Sequence, residues 1–236
     1  MGVKLKRLKR RNLLLSIIYR LSNLVFSNSK NRLKLFTDLE WIFNRLSHEE
    51  SFKYYSDENH PLRVFSINYI LNKIKSKDIV IDIGCKYGEI ANNLAVKAQK
   101  VIAIDYDSRA IEIAKRKFQK FNLEFVCEDA YEYLGKQNEH YDVLILSHLL
   151  EHLDEPEKFL NNFKQFFKRI YIELPDFDNS YLNHYRKDIK AELIYSDSDH
   201  IYEFDRAELT RLIEDCGLKI TSSEYRFGVQ RVWCET

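Results

Sequence analysis

The sequence predicts an α/β fold: a doubly wound, mainly parallel sheet of seven strands with a helical N-terminal extension. Three observations lead there. From residue 79 onward, short apolar, β-branched runs alternate with segments of helical length, the signature of strand–helix–strand units. The first such run ends in a glycine-bearing turn that opens a helix. Residues 1–60 lack these runs and keep a helical rhythm instead. The chain therefore divides into an extension, residues 1–60, and a main domain, residues 61–236.

The extension comes first. Leu5, Leu8, Leu14, Ile17, Ile18, Leu21, Leu24 and Val25 suit one face of a helix, and Leu33, Leu35, Phe36, Leu39, Ile42, Phe43 and Leu46 suit another. His60-Pro61 marks a boundary, because the residue before proline is biased away from helix. A helix over Arg63–Lys75 follows. Ile79–Ile83 is a buried strand ending at Gly84, and Glu89–Ala98 is a helix. Val101–Ile104 is the second strand. Ser108–Phe121 is a helix with Ser108 as its N-cap. Leu123–Val126 and Tyr141–Leu146 are the third and fourth strands, and Pro156–Phe167 is a helix. Arg169–Leu174 is the fifth strand. Asp205–Cys216 is a helix closed by Gly217. Leu218–Glu224 and Val229–Glu235 form a closing pair of strands.

Charge is unevenly spread. Residues 1–60 carry 12 Lys and Arg against 6 Asp and Glu, whereas residues 61–236 carry 25 against 30. An acidic body argues against a nucleic-acid channel, which needs many cations to neutralise phosphates. The four cysteines (Cys85, Cys127, Cys216, Cys234) form no CxxC pair and read as reduced, buried thiols of a cytoplasmic protein. The basic start of the chain is a poor signal peptide, because its apolar run is short and broken by Arg20. Residues 1–25 instead read as a basic amphipathic helix. It lies either on an anionic membrane, at the inner face, or on the protein's own body.

Ligands of doubly wound sheets bind beyond the carboxyl ends of the strands. Asp82-Ile83-Gly84-Cys85-Lys86-Tyr87-Gly88 follows the first strand and holds two of the six glycines. Asp105 ends the second strand, where an acid accepts both hydroxyls of a ribose. Asp129-Ala130 follows the third, where a carboxylate meets an adenine amino group.

Together these stretches resemble class I, Rossmann-like S-adenosylmethionine-dependent methyltransferases, over roughly residues 61–236. Asp82–Gly88 is similar to their first motif, Val101–Asp107 to their ribose motif, and Glu128–Ala130 to their adenine motif. Tyr141–Leu153 is similar to the fourth strand and its turn. The resemblance implies S-adenosyl-L-methionine held by Asp82, Gly84, Cys85, Gly88, Asp105, Tyr106, Asp129, Ala130 and Ser147. Many relatives have a third glycine where this chain has Lys86 and Tyr87. A pyrophosphate-binding dehydrogenase would want that glycine for its phosphates, so its absence favours S-adenosylmethionine.

On the acceptor side, His148, Glu151 and His152 fall within one turn, with His200 farther on. Histidine accepts a hydroxyl proton near neutral pH, which makes His152 and His148 candidate catalytic bases. The four residues are also a candidate set for a divalent metal ion, as in some family members with an ExxEH motif and a downstream histidine. Three histidines and a glutamate suit Zn²⁺ or Fe²⁺ better than Mg²⁺. A purely structural role stays open beside these two. The long connection Asp176–Asp205, with His184, Tyr185, Tyr195 and Tyr202, reads as a lid over the acceptor. The leading function is O-methylation of a sugar or another small hydroxylated acceptor, in the manner of surface-polysaccharide enzymes. An RNA ribose 2′-O-methyltransferase and a non-catalytic cofactor-binding scaffold are the alternatives.

Overall fold

The structure, a computed structural model, describes residues 13–56, 59–136, 139–195 and 197–236. Two helices, α1 (Leu13–Val25) and α2 (Ser29–Tyr54), form the described part of the extension, and α3 (Pro61–Lys73) leads into the sheet. The expected helical start within residues 1–12 lies outside the described residues. Pro61 occupies the first turn of α3, where its missing N–H costs nothing.

Seven strands follow: β1 (Ile79–Ile83), β2 (Lys100–Asp105), β3 (Leu123–Cys127), β4 (Tyr141–Ser147), β5 (Phe167–Pro175), β6 (Lys219–Arg226) and β7 (Val229–Glu235). Their spatial order is β3-β2-β1-β4-β5-β7-β6. All pairings are parallel except β5–β7 and β6–β7. The central strands are mainly apolar because both faces are covered. Ile81, Ile83, Leu144, Leu146 and Ile172 enter one buried cluster, and Val80, Val101, Val143, Ile145 and Tyr171 the other.

The helices between strands are α4 (Glu89–Leu94), α5 (Ser108–Lys117), α6 (Ala130–Gly135), α7 (Pro156–Phe163), α8 (Leu182–Ile189) and α9 (Arg206–Asp215). Three are shorter than the sequence spacing predicts. α4 stops at Leu94, α5 at Lys117 and α7 at Phe163, the last giving way to a 3₁₀ turn over Lys164–Phe166. Apolar residues beyond those ends pack from turns, which period alone does not separate from helix. The N-cap of α5 is Asp107, not Ser108: its carboxylate accepts from the N–H groups of Arg109 and Ala110. Helix α6, absent from the sequence reading, is capped in the same way by Asp129. Cys127 is exposed, against expectation, because it is the last residue of β3, an edge strand.

The turn after β1 depends on its second glycine. Gly88 has φ +79°, and a Cβ there would stand 2.5 Å from the Phe125 ring. Gly88→Ala is therefore expected to cost about 2–4 kcal/mol, from left-handed strain plus overpacking. A thermal melt should fall by several degrees; an unchanged midpoint would show that the turn yields.

Candidate active site

The strand order reverses between β1 and β4, and the turns that follow these strands touch. A Cβ on Gly84 (φ +73°) would lie 3.4 Å from Leu149 Cδ1. That crevice is where a doubly wound sheet binds its ligand.

Asp105 organises one side of it. The residue is buried at the end of β2. Its Oδ2 accepts the Lys86 N–H at 2.8 Å and its Oδ1 the Asp107 N–H at 2.9 Å. The N–H groups of Gly84 and Cys85 donate to the Ile104 carbonyl. The β1 turn is thus tied to the end of β2, and Lys86 is held at φ 45°, unusual for a residue with a side chain. A carboxylate has about four lone-pair sites, so Asp105 keeps capacity for ligand hydroxyls.

Asp82 is different. It is buried, and its Oδ2 has no hydrogen-bond partner. Burial, with the charge of Asp105 adding to it and a backbone hydrogen bond from Ala91 opposing, raises its carboxyl to about 7. An ammonium-bearing ligand would satisfy that oxygen and relieve the charge. S-adenosylmethionine carries such a group, so the residues present fit it. Cys85, buried beside both acids, has its thiol pKa driven up by desolvation and by their charge, so it stays protonated. Tyr106 projects an exposed ring beyond β2. Asp129 lies at the predicted strand end, but spends Oδ1 on capping α6 beside Ala130. The Ser147 hydroxyl donates to Glu173 Oε1 at 3.3 Å, on the acceptor side of β4.

The histidines divide into two groups. His148 leaves β4 with φ 53°, its N–H on the Glu173 carbonyl at 2.7 Å. Its Nδ1 is 3.1 Å from Glu151 Oε1, and its Nε2 is 3.6 Å from Glu173 Oε1. Desolvation lowers its pKa, but the Glu151 hydrogen bond and the charges of Glu151 and Glu173 outweigh it, so the net direction is upward. Glu151 is buried in a 3₁₀ turn, Leu150–His152, with Oε2 unpartnered. Glu151, His152 and His200 bring ligand atoms within 4.8 Å of one another. His148 stands outside that trio. His152 Nδ1 lies 3.2 Å from the Asp199 carbonyl, and His200 Nδ1 lies 2.9 Å from Glu203 Oε1. The Nδ1 atoms of both rings are thus held by the protein.

Beside His148 and His200 opens a cavity of about 600 Å³. Its walls come from α2 (Glu40, Trp41, Arg45, His48), from the β5–α9 connection (Phe177, Asn179, Asn183) and from the β6–β7 hairpin (Phe227). Its charges are mostly paired: Glu40 with Arg186, Arg45 with Glu49, Asp176 with Arg206, and His200 with Glu203. Of the predicted lid residues, His184 bonds Asp178, and the Tyr195 carbonyl accepts from the Trp41 indole at 3.2 Å.

Glu173 and Arg231 were invisible to sequence reasoning. Both are buried in strands that read as apolar, and Arg231 Nε donates to Glu173 Oε2 at 2.9 Å. The register that pairs Glu173 of β5 with Arg231 of β7 is set by the sheet, and no local sequence signal marks it.

Comparison with known proteins agrees with this geometry. A family model described as a methyltransferase domain matches residues 62–223. Similar curated proteins include the ubiquinone biosynthesis O-methyltransferase of Coxiella burnetii, 29% identical over 106 residues, covering 44% of this chain and 45% of that protein. Another is the ribosomal protein L11 methyltransferase of Staphylococcus saprophyticus, 34% identical over 102 residues, covering 40% of this chain and 32% of that one. The matched stretch spans less than half the length of these curated relatives. Among solved structures, magnesium protoporphyrin IX methyltransferase from Synechocystis, with bound SAH, superposes with a TM-score of 0.56 at 16% identity. It covers 82% of this chain and 93% of that one. A SAM-dependent methyltransferase from Archaeoglobus fulgidus gives a TM-score of 0.56 at 18% identity, over 73% and 92% of the two chains.

Asp105→Ala is expected to weaken S-adenosylhomocysteine binding by about a hundredfold or more, since charged hydrogen bonds contribute roughly 1.5–3 kcal/mol each. Unchanged affinity in titration calorimetry would refute the ribose role. Asp82 predicts a pH dependence. Its folded pKa lies above the unfolded one, so the stability it supports is complete below about pH 4 and is lost as pH rises toward about 7. Asp82→Asn should therefore melt above the wild type near pH 8 but not near pH 4, in cofactor-free protein. A difference independent of pH would contradict the raised pKa.

Proposed function

The chain belongs to the class I, Rossmann-like S-adenosylmethionine-dependent methyltransferase family, and from that premise we propose that it methylates a hydroxyl of a sugar or another small hydroxylated acceptor. The observation that carries the acceptor class is the cavity beside His148. Its aromatic walls (Trp41, Phe177, Phe227), amides (Asn179, Asn183) and largely paired charges suit a neutral, hydroxyl-bearing ring. Likeness to an O-methyltransferase supports a hydroxyl acceptor.

When bound, S-adenosylmethionine supplies an electrophilic methyl group on a positively charged sulfur. The chain's own residues bind and orient. Asp105 takes the ribose hydroxyls, Asp82 the ammonium, and Tyr106 and Asp129 border the adenine. Gly84, Cys85, Gly88 and Ala130 shape the turns, and Ser147 lies where the cofactor and acceptor sides meet. His148 is the base. With Nδ1–H donating to Glu151, its Nε2 accepts the acceptor's proton, and the nearby Glu173 carboxylate stabilises the resulting imidazolium. Helix α2 and the β5–α9 connection shield the acceptor from water. In this reading the extension, residues 1–60, builds an acceptor wall for the catalytic domain, residues 61–236.

A second reading rests on Glu151, His152 and His200. Two imidazoles and a buried carboxylate with a spare oxygen are a donor set for Zn²⁺, Fe²⁺ or Mn²⁺. Such an ion would polarise and position the acceptor hydroxyl, with His152 a ligand instead of a base.

A labelled-cofactor screen of sugars and glycans tests the acceptor class; turnover with none of them, but with RNA, would overturn it. His148→Ala is expected to lower transfer roughly 10²–10⁴-fold while leaving S-adenosylhomocysteine affinity unchanged. Full activity would remove His148 as the base. Inhibition by a chelator, with recovery on adding one divalent ion, would establish the metal reading, and chelator-insensitive turnover would end it.

A further inference from the structure

Helix α1 takes no part in the site, and apart from Ser22 it is exposed on every side. At about 100° per residue, Leu13, Leu14, Ile17, Ile18, Leu21, Leu24 and Val25 fall on one arc, and Leu15, Ser16, Tyr19, Arg20, Ser22 and Asn23 make up a mostly polar opposite side. An amphipathic helix normally turns that apolar arc to the core. Here it faces solvent: Leu24 is 82% exposed, Leu13 73% and Val25 70%. The one buried residue of α1 is Ser22. No described helix is long and apolar enough to cross a membrane.

The sequence immediately before this arc holds Lys4, Lys6, Arg7, Lys9, Arg10 and Arg11, with no acid among residues 1–25. An apolar arc preceded in the sequence by six cations matches an anionic lipid surface, which takes leucines at the headgroup–acyl boundary and attracts cations to its phosphates. We propose that α1 docks in the plane of an anionic phospholipid bilayer.

The consequence reaches the site. Only Phe26–Asn28 separate α1 from α2, and Trp41 lies about 18 Å along α2 from its start, at 1.5 Å per residue. The cavity is therefore walled in part by the helix that follows the docked one in the chain. The docking itself does not depend on which acceptor is used.

The test is flotation of the full chain with vesicles of phosphatidylcholine, alone or with about 30% phosphatidylglycerol. Binding to the anionic vesicles should exceed binding to the neutral ones by roughly tenfold, and should fall as salt is raised. Leu14→Glu with Leu21→Glu should abolish it while leaving S-adenosylhomocysteine affinity unchanged, because neither residue touches the fold's core. Equal, weak recovery with both vesicle types would overturn the proposal. So would a wild-type dimer in light scattering that the double variant converts to monomer, which would assign the face to a second copy.

Discussion

The buried ion pair between Glu173 and Arg231 is the constraint on which the acceptor side depends. It sits where the sheet changes from parallel to antiparallel, with the two residues in register on β5 and β7. Glu173 accepts from Arg231, the Tyr171 hydroxyl and the Ser147 hydroxyl, and its backbone carbonyl receives the His148 N–H. Arg231 also donates to Ser66 of α3 and to two backbone carbonyls. Burying two charges is costly unless the remaining donors and acceptors are satisfied, and removing one partner leaves an uncompensated charge worth about 3–5 kcal/mol. The pair thus ties α3, the antiparallel closure and the turn bearing His148 into one unit. The strained φ of His148 persists because that unit holds it on both its backbone and its ring.

The cofactor side uses two carboxylates with opposite economies. Asp105 spends both oxygens on backbone N–H groups and so gives the β1 turn its shape before any ligand arrives. Asp82 keeps a buried oxygen unpaired, a stability cost placed where a cationic ligand group can offset it. Preorganisation and stored strain therefore sit on neighbouring strands, and a ligand that meets both gains from each.

The cavity draws one wall from the helical extension. Helix α2 lies before the stretch that matches the family model, yet it supplies Trp41, Arg45 and His48 to the cavity. It is pinned by Arg186 of α8, fully buried, whose guanidinium reaches the Thr37 carbonyl, Glu40 and Asn183. Helices from the extension and from the β5–α9 connection thus close on each other around this buried cation, with the Trp41–Tyr195 hydrogen bond and the Lys34–Glu192 and Arg45–Asp197 pairs beside it. Chemistry carried by strand ends and specificity carried by added helices is the division expected when one fold serves many substrates.

Much of this was legible in the chain alone, because it rests on local rules. The period of the apolar runs determines strands and helices, and their alternation determines a parallel sheet whose carboxyl ends carry Asp82, Asp105 and Asp129. Those rules depend on a residue's near neighbours and need no tertiary information. Helix ends were less legible, since turns after α4 and α5 bury apolar residues as well as helices do. What only the tertiary structure decided are the long-range partnerships. Asp105 clamps the β1 turn, Glu151 and His152 find His200, Glu173 finds Arg231, and Arg186 brings α2 to the cavity. Each joins residues that no sequence period relates, through charges whose burial is tolerable only once a distant partner is in place.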